Sequence, residues 1–246
     1  LKALGYKNNF DIDDKNLGQK LASSIDISDP LSDMMKTKLL RSFRRAFYSS
    51  EDLGHYGLAS SYYCHFTSPI RRYPDTTNHR LVKEFHFSDE DKDSLKKKWK
   101  NELEEIAKTS SERERAADEC ERMVELMKVA EYMENHLGEE FVGTVVEIYN
   151  DGMQIELDNM VEGRVRQKDL KGKYVYYPQT LSYISLDNQE DYYLGDRLNL
   201  KVSYANKERK EVDFQVVSKV AENKRINQRA NTHAKALEKQ KRADMY

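Results

Sequence analysis

The sequence predicts an α+β protein with a mostly helical first half, a small five-stranded β-barrel and a basic tail. Three observations predict this order. Apolar residues recur at helical spacing as far as Leu137, the spacing then changes to the two-residue alternation of strands, and alternation ends near Ser218. We therefore expect domains at residues 1–137 and 138–218, followed by a disordered tail at residues 219–246.

The chain before residue 50 contains two regions of helical patterning. Residues 1–27 are predicted to form one or two short helices with a polar loop, whose aspartates do not reproduce a calcium-binding loop. Asp29 and Pro30 are a cap and first-turn pair for a longer helix that reaches Phe47. Its apolar stripe, which starts at Leu31, is predicted to face a core, and its basic side to face solvent rather than RNA.

The most informative segment starts at Tyr63 and reads Tyr-Cys-His-Phe-Thr-Ser-Pro-Ile-Arg-Arg-Tyr-Pro-Asp. Proline loses no hydrogen bond at the first position of a helix, and a preceding hydroxyl satisfies a free amide there. A helix is therefore predicted to begin at Pro69, with Thr67 or Ser68 as its cap.

Arg71 and Arg72 fall in the first turn of that predicted helix. The free amides and the dipole of a helix N-terminus favour an anion, and arginine binds phosphate through two parallel hydrogen bonds. Pro74 interrupts a smooth continuation, so a bend is expected to present Arg71, Arg72 and Tyr73 on a rigid corner. The chemistry alone fits equally well with arginines that are solvated or paired with carboxylates.

Helical patterning continues after this segment. Residues 79–87 extend the helix, and Leu95 to Ile106 mark the apolar stripe of a second one. Ser111 and Glu114 form a capping box, which predicts the start of a third helix that Gly138 ends.

Five short segments with alternating hydrophobicity follow Gly138, at residues 141–148, 153–157, 161–165, 198–204 and 212–216. Five strands in about 80 residues predict a closed barrel of the OB type, whose face and loops often hold single-stranded nucleic acid. Tyrosines in and between the strands offer rings for base stacking. Each tyrosine taken alone is as easily explained by the preference of tyrosine for strands and half-buried surfaces.

Composition limits the classes of function. Charged residues make up 34% of the chain and the net charge is −2, so any attraction for nucleic acid must come from local patches. The tail is such a patch, with eight basic and three acidic side chains from Lys219 onward. No apolar run approaches the ~20 residues of a membrane span. Cys64 and Cys120 lack the spacing of a disulfide framework or zinc site, which fits a reduced cytoplasmic setting.

The run from His65 to Asp75, followed by His79-Arg-Leu, resembles the signature of the ribonuclease II and ribonuclease R family, exoribonucleases that digest RNA from its 3′ end. Residues 49–58 and 116–122 resemble neighbouring segments of the same family. Residues 138–217 are similar to the S1-type RNA-binding module. The features that carry this similarity are Gly143-Thr-Val, Gly152-Met-Gln-Ile-Glu-Leu, Glu162-Gly-Arg-Val and Gly195-Asp-Arg-Leu. A basic tail after the module resembles ribonuclease R more than ribonuclease II.

The resemblance implies a processive 3′-to-5′ hydrolase that releases nucleoside 5′-monophosphates from single-stranded RNA, or from structured RNA with a 3′ overhang. It also implies a monomeric, cytoplasmic enzyme that uses magnesium. The family binds magnesium through an aspartate cluster near the start of its catalytic domain, and this chain lacks that cluster. We therefore expect a fragment that starts partway through the domain and is inactive alone. The alternative is a non-catalytic fragment that binds single-stranded RNA.

The resemblance also suggests roles for individual residues. Arg71 is expected to be catalytic, with its guanidinium neutralising the scissile phosphate. Four neighbours are expected to contact RNA, namely Arg72, Tyr73, His65 and Arg80. In the barrel module, Asp151 and Gln154 occupy positions that usually hold stacking aromatics. RNA contact is therefore expected to pass to Tyr149, Arg164, Tyr174, Tyr176 and Tyr177. No residue of this chain is predicted to bind metal.

Overall fold

The structure is a computed structural model that describes residues 17–27, 31–58, 60–187 and 189–220. The chain divides into two compact units. Arg44–Arg122 form the helical unit, and Leu1–Phe43 together with Met123–Tyr246 form the barrel unit. Asp29, Pro30 and the basic tail beyond Val220 lie outside the described residues.

Four α-helices are present among the described residues: α1 (Leu17–Ser24), α2 (Ser32–Ser42), α3 (Tyr73–Phe87) and α4 (Lys92–Glu134). None of them is both long enough and apolar enough to cross a membrane. The division between the two units falls within α4, which is one uninterrupted helix of 43 residues.

The prediction that a helix begins at Pro69 is wrong, because α3 begins at Tyr73. Arg72 is the N-cap, with an extended backbone at φ −124° and ψ 114°, and Pro74 lies in the first turn. The observed start places Asp75, the residue after Pro74, in the first turn of the helix, where the helix dipole favours an acid; Pro69 is followed by Ile70 and Arg71 instead. Asp75 also accepts hydrogen bonds from the Ser68 amide and the Arg72 guanidinium, which hold the preceding loop outside the helix.

Two other helix boundaries differ from prediction. The helix predicted to reach Phe47 ends at Ser42, after which Phe43 has an extended backbone at φ −73° and ψ 149°. Ser111 does not start a helix, since it lies in the middle of α4. Its hydroxyl donates to the carbonyl of Ala107 and accepts from the backbone amide of Tyr48, so its hydrogen bonds are used without a cap.

The described strands are β1 (Glu140–Ile148), β2 (Gly152–Leu157), β3 (Glu162–Arg166), β4 (Tyr174–Tyr177), β5 (Ser182–Ser185), β6 (Tyr192–Tyr193), β7 (Arg197–Asn206) and β8 (Glu211–Lys219). Five of them close a barrel in the order β1-β2-β3-β8-β7. All barrel neighbours are antiparallel except β3 and β8, which run parallel. The predicted five-stranded, OB-like barrel and the α+β class are confirmed.

A second, three-stranded sheet of order β4-β5-β6 lies in the sequence between β3 and β7. The sequence did not predict it, because strands of two to four residues are too short to show a period. Four of its tyrosines pack on one another and on the barrel core; they are Tyr174, Tyr176, Tyr183 and Tyr192.

The barrel is filled by alternate residues of its strands, which include Val145, Ile155, Val165, Leu200 and Phe214. A smaller core joins α1 and α2 to the loop before β7 and consists of Ile25, Leu31, Met35 and Leu194. The Lys38 ammonium also donates to Glu147 of β1 at 2.6 Å. Residues 17–27 and 31–43 therefore pack within the barrel unit. The predicted domain boundary after residue 137 is a different division and stays a prediction.

Candidate RNA-contacting site

The signature loop, residues 63–72, is held against the helix that follows it by side chains of α3. Their acceptors are backbone carbonyls of the loop. Asn78 Nδ2 donates to the carbonyl of His65 at 2.7 Å, and Thr76 Oγ1 donates to that of Pro69 at 2.9 Å. These contacts use the polar face of the first turns of α3, so the loop conformation is fixed by the helix itself.

A ring contact adds to these bonds. The imidazole of His79 stacks on Phe66, with centroids 4.1 Å apart, and His79 Nε2 lies 2.8 Å from the carbonyl oxygen of Phe66. His79 therefore has a defined structural partner in the loop.

Asp75 is the buried centre of this arrangement, with none of its surface exposed. Its Oδ2 accepts from the Ser68 amide at 2.6 Å and from Arg72 Nη2 at 2.9 Å. Burial raises the pKa of Asp75, but the Ser68 hydrogen bond and the Arg72 cation outweigh it and hold the pKa below its usual value. Asp75 was not predicted as a site residue. The three-residue spacing between Arg72 and Asp75 is the sequence signal that could have identified it.

The two adjacent arginines have different environments. Arg72 is tied to Asp75, as in the carboxylate-paired alternative considered from the sequence. Arg71 is exposed, and among the described residues its guanidinium has neither an ion pair nor a side-chain hydrogen bond. Its backbone amide donates to the carbonyl of Ser68, the residue that Asp75 holds. Ile70, beside Arg71, is fully exposed. The loop thus presents one uncompensated cation to solvent.

Tyr73 and Arg80 form an exposed pair on α3. The Arg80 guanidinium lies 5.8 Å from the centre of the Tyr73 ring, and Tyr73 is 53% exposed. His65 lies inward instead, with its Nδ1 3.0 Å from the hydroxyl of Tyr48. Burial, followed by the negative charge of Glu114, raises the pKa of Tyr48. The structure therefore brings Arg71, Tyr73 and Arg80 to the surface and places the half-buried His65 against Tyr48.

Arg164 of the barrel unit lies in a charge network on β3 and β8. Its Nε donates to Asp213 at 2.6 Å, and Arg166 Nη2 donates to the other oxygen of the same carboxylate at 2.6 Å. Glu211 pairs with Arg164 at 3.1 Å. A surface cavity of about 550 Å³ adjoins this network, with Tyr204 and other residues in its wall. The charge of Arg164 is therefore largely compensated, and its predicted RNA contact stays a prediction.

The four candidate tyrosines of the barrel unit do not share one environment. Tyr149 is 49% exposed in the turn between β1 and β2. Tyr174 is half-buried with its ring 5.5 Å from that of Tyr192, and Tyr176 is half-buried with its hydroxyl donating to a backbone carbonyl. Tyr177 is half-buried at the end of β4. Of the four, only Tyr149 has the exposure expected of a base-stacking ring.

The described residues do not fit the magnesium ion implied by the resemblance. Within that part of the chain, no three His, Cys, Asp or Glu side chains are placed to hold a metal ion together. Carboxylate oxygens are the ligands that magnesium prefers, so the expectation of magnesium rests on the resemblance alone.

Family models match both parts of the chain: the RNB domain matches residues 2–88, and the S1 RNA binding domain matches residues 135–216. The closed barrel and the signature loop are thus those of a protein that joins RNB and S1 domains. Ribonuclease R 1 of Lactococcus lactis is 43% identical over 183 residues, which are 74% of this chain and 22% of that protein. Ribonuclease R of Thermotoga maritima is 40% identical over 206 residues, 81% of this chain and 28% of that protein.

Solved structures agree with the sequence matches. The chain superposes on Mycoplasma genitalium RNase R in complex with ribose methylated single-stranded RNA with a TM-score of 0.78 and 27% identity. The match covers 88% of this chain and 35% of that one. The chain combines an RNB match with an S1 match and is similar to ribonuclease R over 74–81% of its own length, and it spans about a quarter of the length of these curated relatives.

Proposed function

We propose that this chain contributes to a processive 3′-to-5′ exoribonuclease of the ribonuclease R type, which releases nucleoside 5′-monophosphates. The observation that carries the proposal is the guanidinium of Arg71, which has no ion pair in the part of the chain that the structure describes and lies on a loop that α3 holds in place. The similarity to ribonuclease R supports the reaction class. Magnesium, a monomeric state and a cytoplasmic location stay predictions of the resemblance.

Arg71 acts on the scissile phosphate in this proposal. Hydrolysis of a phosphodiester builds negative charge on the phosphoryl oxygens, and a guanidinium already in position stabilises that charge without reorganising. Its planar fork can donate two parallel hydrogen bonds to phosphate. Because Asp75 neutralises Arg72, we assign Arg72 to positioning the loop. Tyr73 and Arg80 are exposed beside it and serve as contacts for the RNA chain.

Single-stranded RNA is the proposed partner. Mycoplasma genitalium RNase R was solved with such an RNA, and we extend that binding to this chain. The S1 barrel supports the proposal, since OB-type barrels hold single strands on a face built from their second and third strands.

Replacing Arg71 with alanine in the full-length protein tests the catalytic role. We expect turnover on single-stranded RNA to fall about 10²- to 10³-fold, as when a preorganised charge donor is lost. The Kd for RNA should change much less, because the other contacts remain. Arg71→Lys keeps the charge but loses the fork, and should recover only part of the rate.

Arg122→Ala is the matched control, since Arg122 is an exposed arginine of the helical unit whose ion pair with Glu119 is far from the signature in sequence. It should leave both turnover and Kd unchanged. Equal turnover in Arg71→Ala and the unsubstituted protein, together with weaker binding, would refute the catalytic role.

A second candidate function is RNA binding without cleavage by this chain alone. The observation that favours it is the combination of an S1 barrel with described residues that offer no cluster of metal ligands. Incubation of this chain with magnesium and a 5′-labelled single-stranded RNA tests it. We expect a retarded band that weakens at high salt and no shortened products. Stepwise shortening of the RNA would rule this candidate out.

A further inference from the structure

The turn between β1 and β2, residues 149–151, carries an aromatic side chain at the end of the barrel. Tyr149 is 49% exposed, whereas Tyr183 and Tyr192 of the same unit are buried. In OB-type barrels this first loop is one of the two that bind oligonucleotides. An exposed ring in such a loop is suited to stacking on a base, because every base has a π-face.

The inserted sheet holds the backbone of this turn. The hydroxyl of Tyr183 on β5 donates to the carbonyl of Tyr149 at 2.6 Å, and the hydroxyl of Tyr176 on β4 donates to the carbonyl of Ile148 at 3.1 Å. The two acceptors are consecutive along the chain, so the sheet holds the backbone at the end of β1, where Tyr149 begins the turn.

Two backbone hydrogen bonds complete the arrangement. The amide of Tyr149 donates to the carbonyl of Gly152 at 2.8 Å, and this bond closes the turn. The amide of Gln167 donates to the carbonyl of Asp151 at 2.9 Å. The turn is therefore held from both sides. A ring on a fixed backbone loses less conformational entropy when a base stacks on it.

Tyr183 is suited to a permanent holding role. Its side chain is fully buried, and its ring packs against those of Tyr174 and Tyr176, with centroids 6.2 and 5.9 Å away. Burial, followed by the nearby charge of Asp151, raises the pKa of Tyr183 to about 12. The hydroxyl consequently stays protonated, and remains a donor, at every pH at which RNA binding is measured.

We propose that Tyr149 is a base-stacking platform for single-stranded RNA, and that the β4-β5-β6 sheet positions it through the hydroxyls of Tyr183 and Tyr176. This inference rests on the proposed RNA-binding function and deepens it. Asp151 in the same turn and Gln154 in β2 have no aromatic rings. The platform thus lies at Tyr149, and its orientation depends on a sheet outside the barrel.

RNA affinity and stacking are measured together in the full-length protein, with a single-stranded RNA that contains 2-aminopurine, whose fluorescence is quenched by stacking. We expect Tyr149→Ala to weaken binding about ten-fold and to reduce the quenching, since one ring that stacks on a base is lost. Tyr149→Phe keeps the ring and should bind as the unsubstituted protein does. Tyr132→Ala is the control, because Tyr132 is also 49% exposed in the barrel unit but lies on α4.

A double-mutant cycle separates positioning from general stability. Tyr183→Phe removes only the hydroxyl and should weaken binding about three-fold while Tyr149 is present. In the Tyr149→Ala background the same change should have no further effect, because there is no ring left to position. Additive losses would overturn the positioning role of Tyr183.

The outcomes also distinguish this inference from the proposed function. If the unsubstituted protein does not bind the RNA, the RNA-binding function itself fails. If it binds and Tyr149→Ala binds equally well with unchanged quenching, the function stands and the stacking platform is overturned.

Discussion

Arg71 and Arg72 show how one neighbouring carboxylate separates the roles of two identical side chains. Asp75 takes Arg72 as its ion-pair partner and leaves Arg71 without one among the described residues. The sequence indicated a basic corner in this loop, but local chemistry left open whether its cations were free or paired. Both environments occur, one for each arginine.

Asp75→Asn tests the buried carboxylate at the residue scale. Because the folded-state pKa of Asp75 is lowered, its charge stabilises the fold above the ordinary aspartate pKa of about 3.9, and this contribution is lost as the pH falls through the lowered value. We expect Asp75→Asn to melt at a lower temperature than the unsubstituted protein at pH 7. The gap should close in acid, where the native carboxyl is also neutral.

The control for this substitution is Asp93→Asn. Asp93 is also paired with a cation three residues along a helix, Lys96, but both side chains are largely exposed. Exposed pairs of this kind contribute little, so its melting temperature should stay nearly unchanged at both pH values. A difference in melting temperature between Asp75→Asn and the unsubstituted protein that does not depend on pH would contradict the role assigned to the carboxylate charge.

Displacement of the loop in Asp75→Asn should also lower turnover, by up to about 10²-fold.

At the scale of elements, the barrel was predictable and the shorter sheet was not. Strands β1, β2, β3 and β7 bury largely alternate residues, and this alternation is visible in the sequence. Strand β8 differs, since it buries Val212, Asp213 and Phe214 in succession. The β4-β5-β6 sheet depends on pairing between segments of two to four residues, which local pattern does not encode. The start of α3 was mispredicted for a related reason, since the choice between two prolines depends on Asp75.

Gly163 of β3 provides a test of barrel packing. A Cβ there would collide with the ring of Phe214 and lie 2.8 Å from the carbonyl oxygen of Val212. We expect Gly163→Ala to lower the free energy of unfolding by about 1–3 kcal/mol, the usual cost of overpacking a core. Denaturant unfolding of the barrel unit measures it in the full-length protein.

The paired control is Gln154→Ala on the neighbouring strand β2. The Gln154 side chain is partly exposed and makes one long hydrogen bond, of 3.5 Å to Glu162. Its removal should change the free energy of unfolding by less than about 0.5 kcal/mol. Equal stability of the two variants would show that the barrel relaxes around an added methyl group.

At the scale of the whole molecule, the boundaries of the two compact units differ from the boundaries of the two family matches. The RNB match covers residues 2–88, yet α1 and α2 pack within the barrel unit through Leu31 and Met35. The apolar stripe of α2 correctly predicted that this helix faces a core. The stripe did not indicate that this core belongs to the barrel unit, because an apolar stripe does not specify which other element packs against it.

The sequence by itself determined the α+β class, the five barrel strands, the resemblance to ribonuclease R and the signature that contains Arg71. These depend on local periodicity and on runs of particular residues, which are readable without neighbours in space. Only the tertiary structure decided that Arg71 has no ion pair among the described residues, that His65 contacts Tyr48 and that, of the four candidate tyrosines, Tyr149 alone is exposed. Exposure and charge compensation are set by residues distant in the chain, such as Tyr48 for His65 and Asp213 for Arg164.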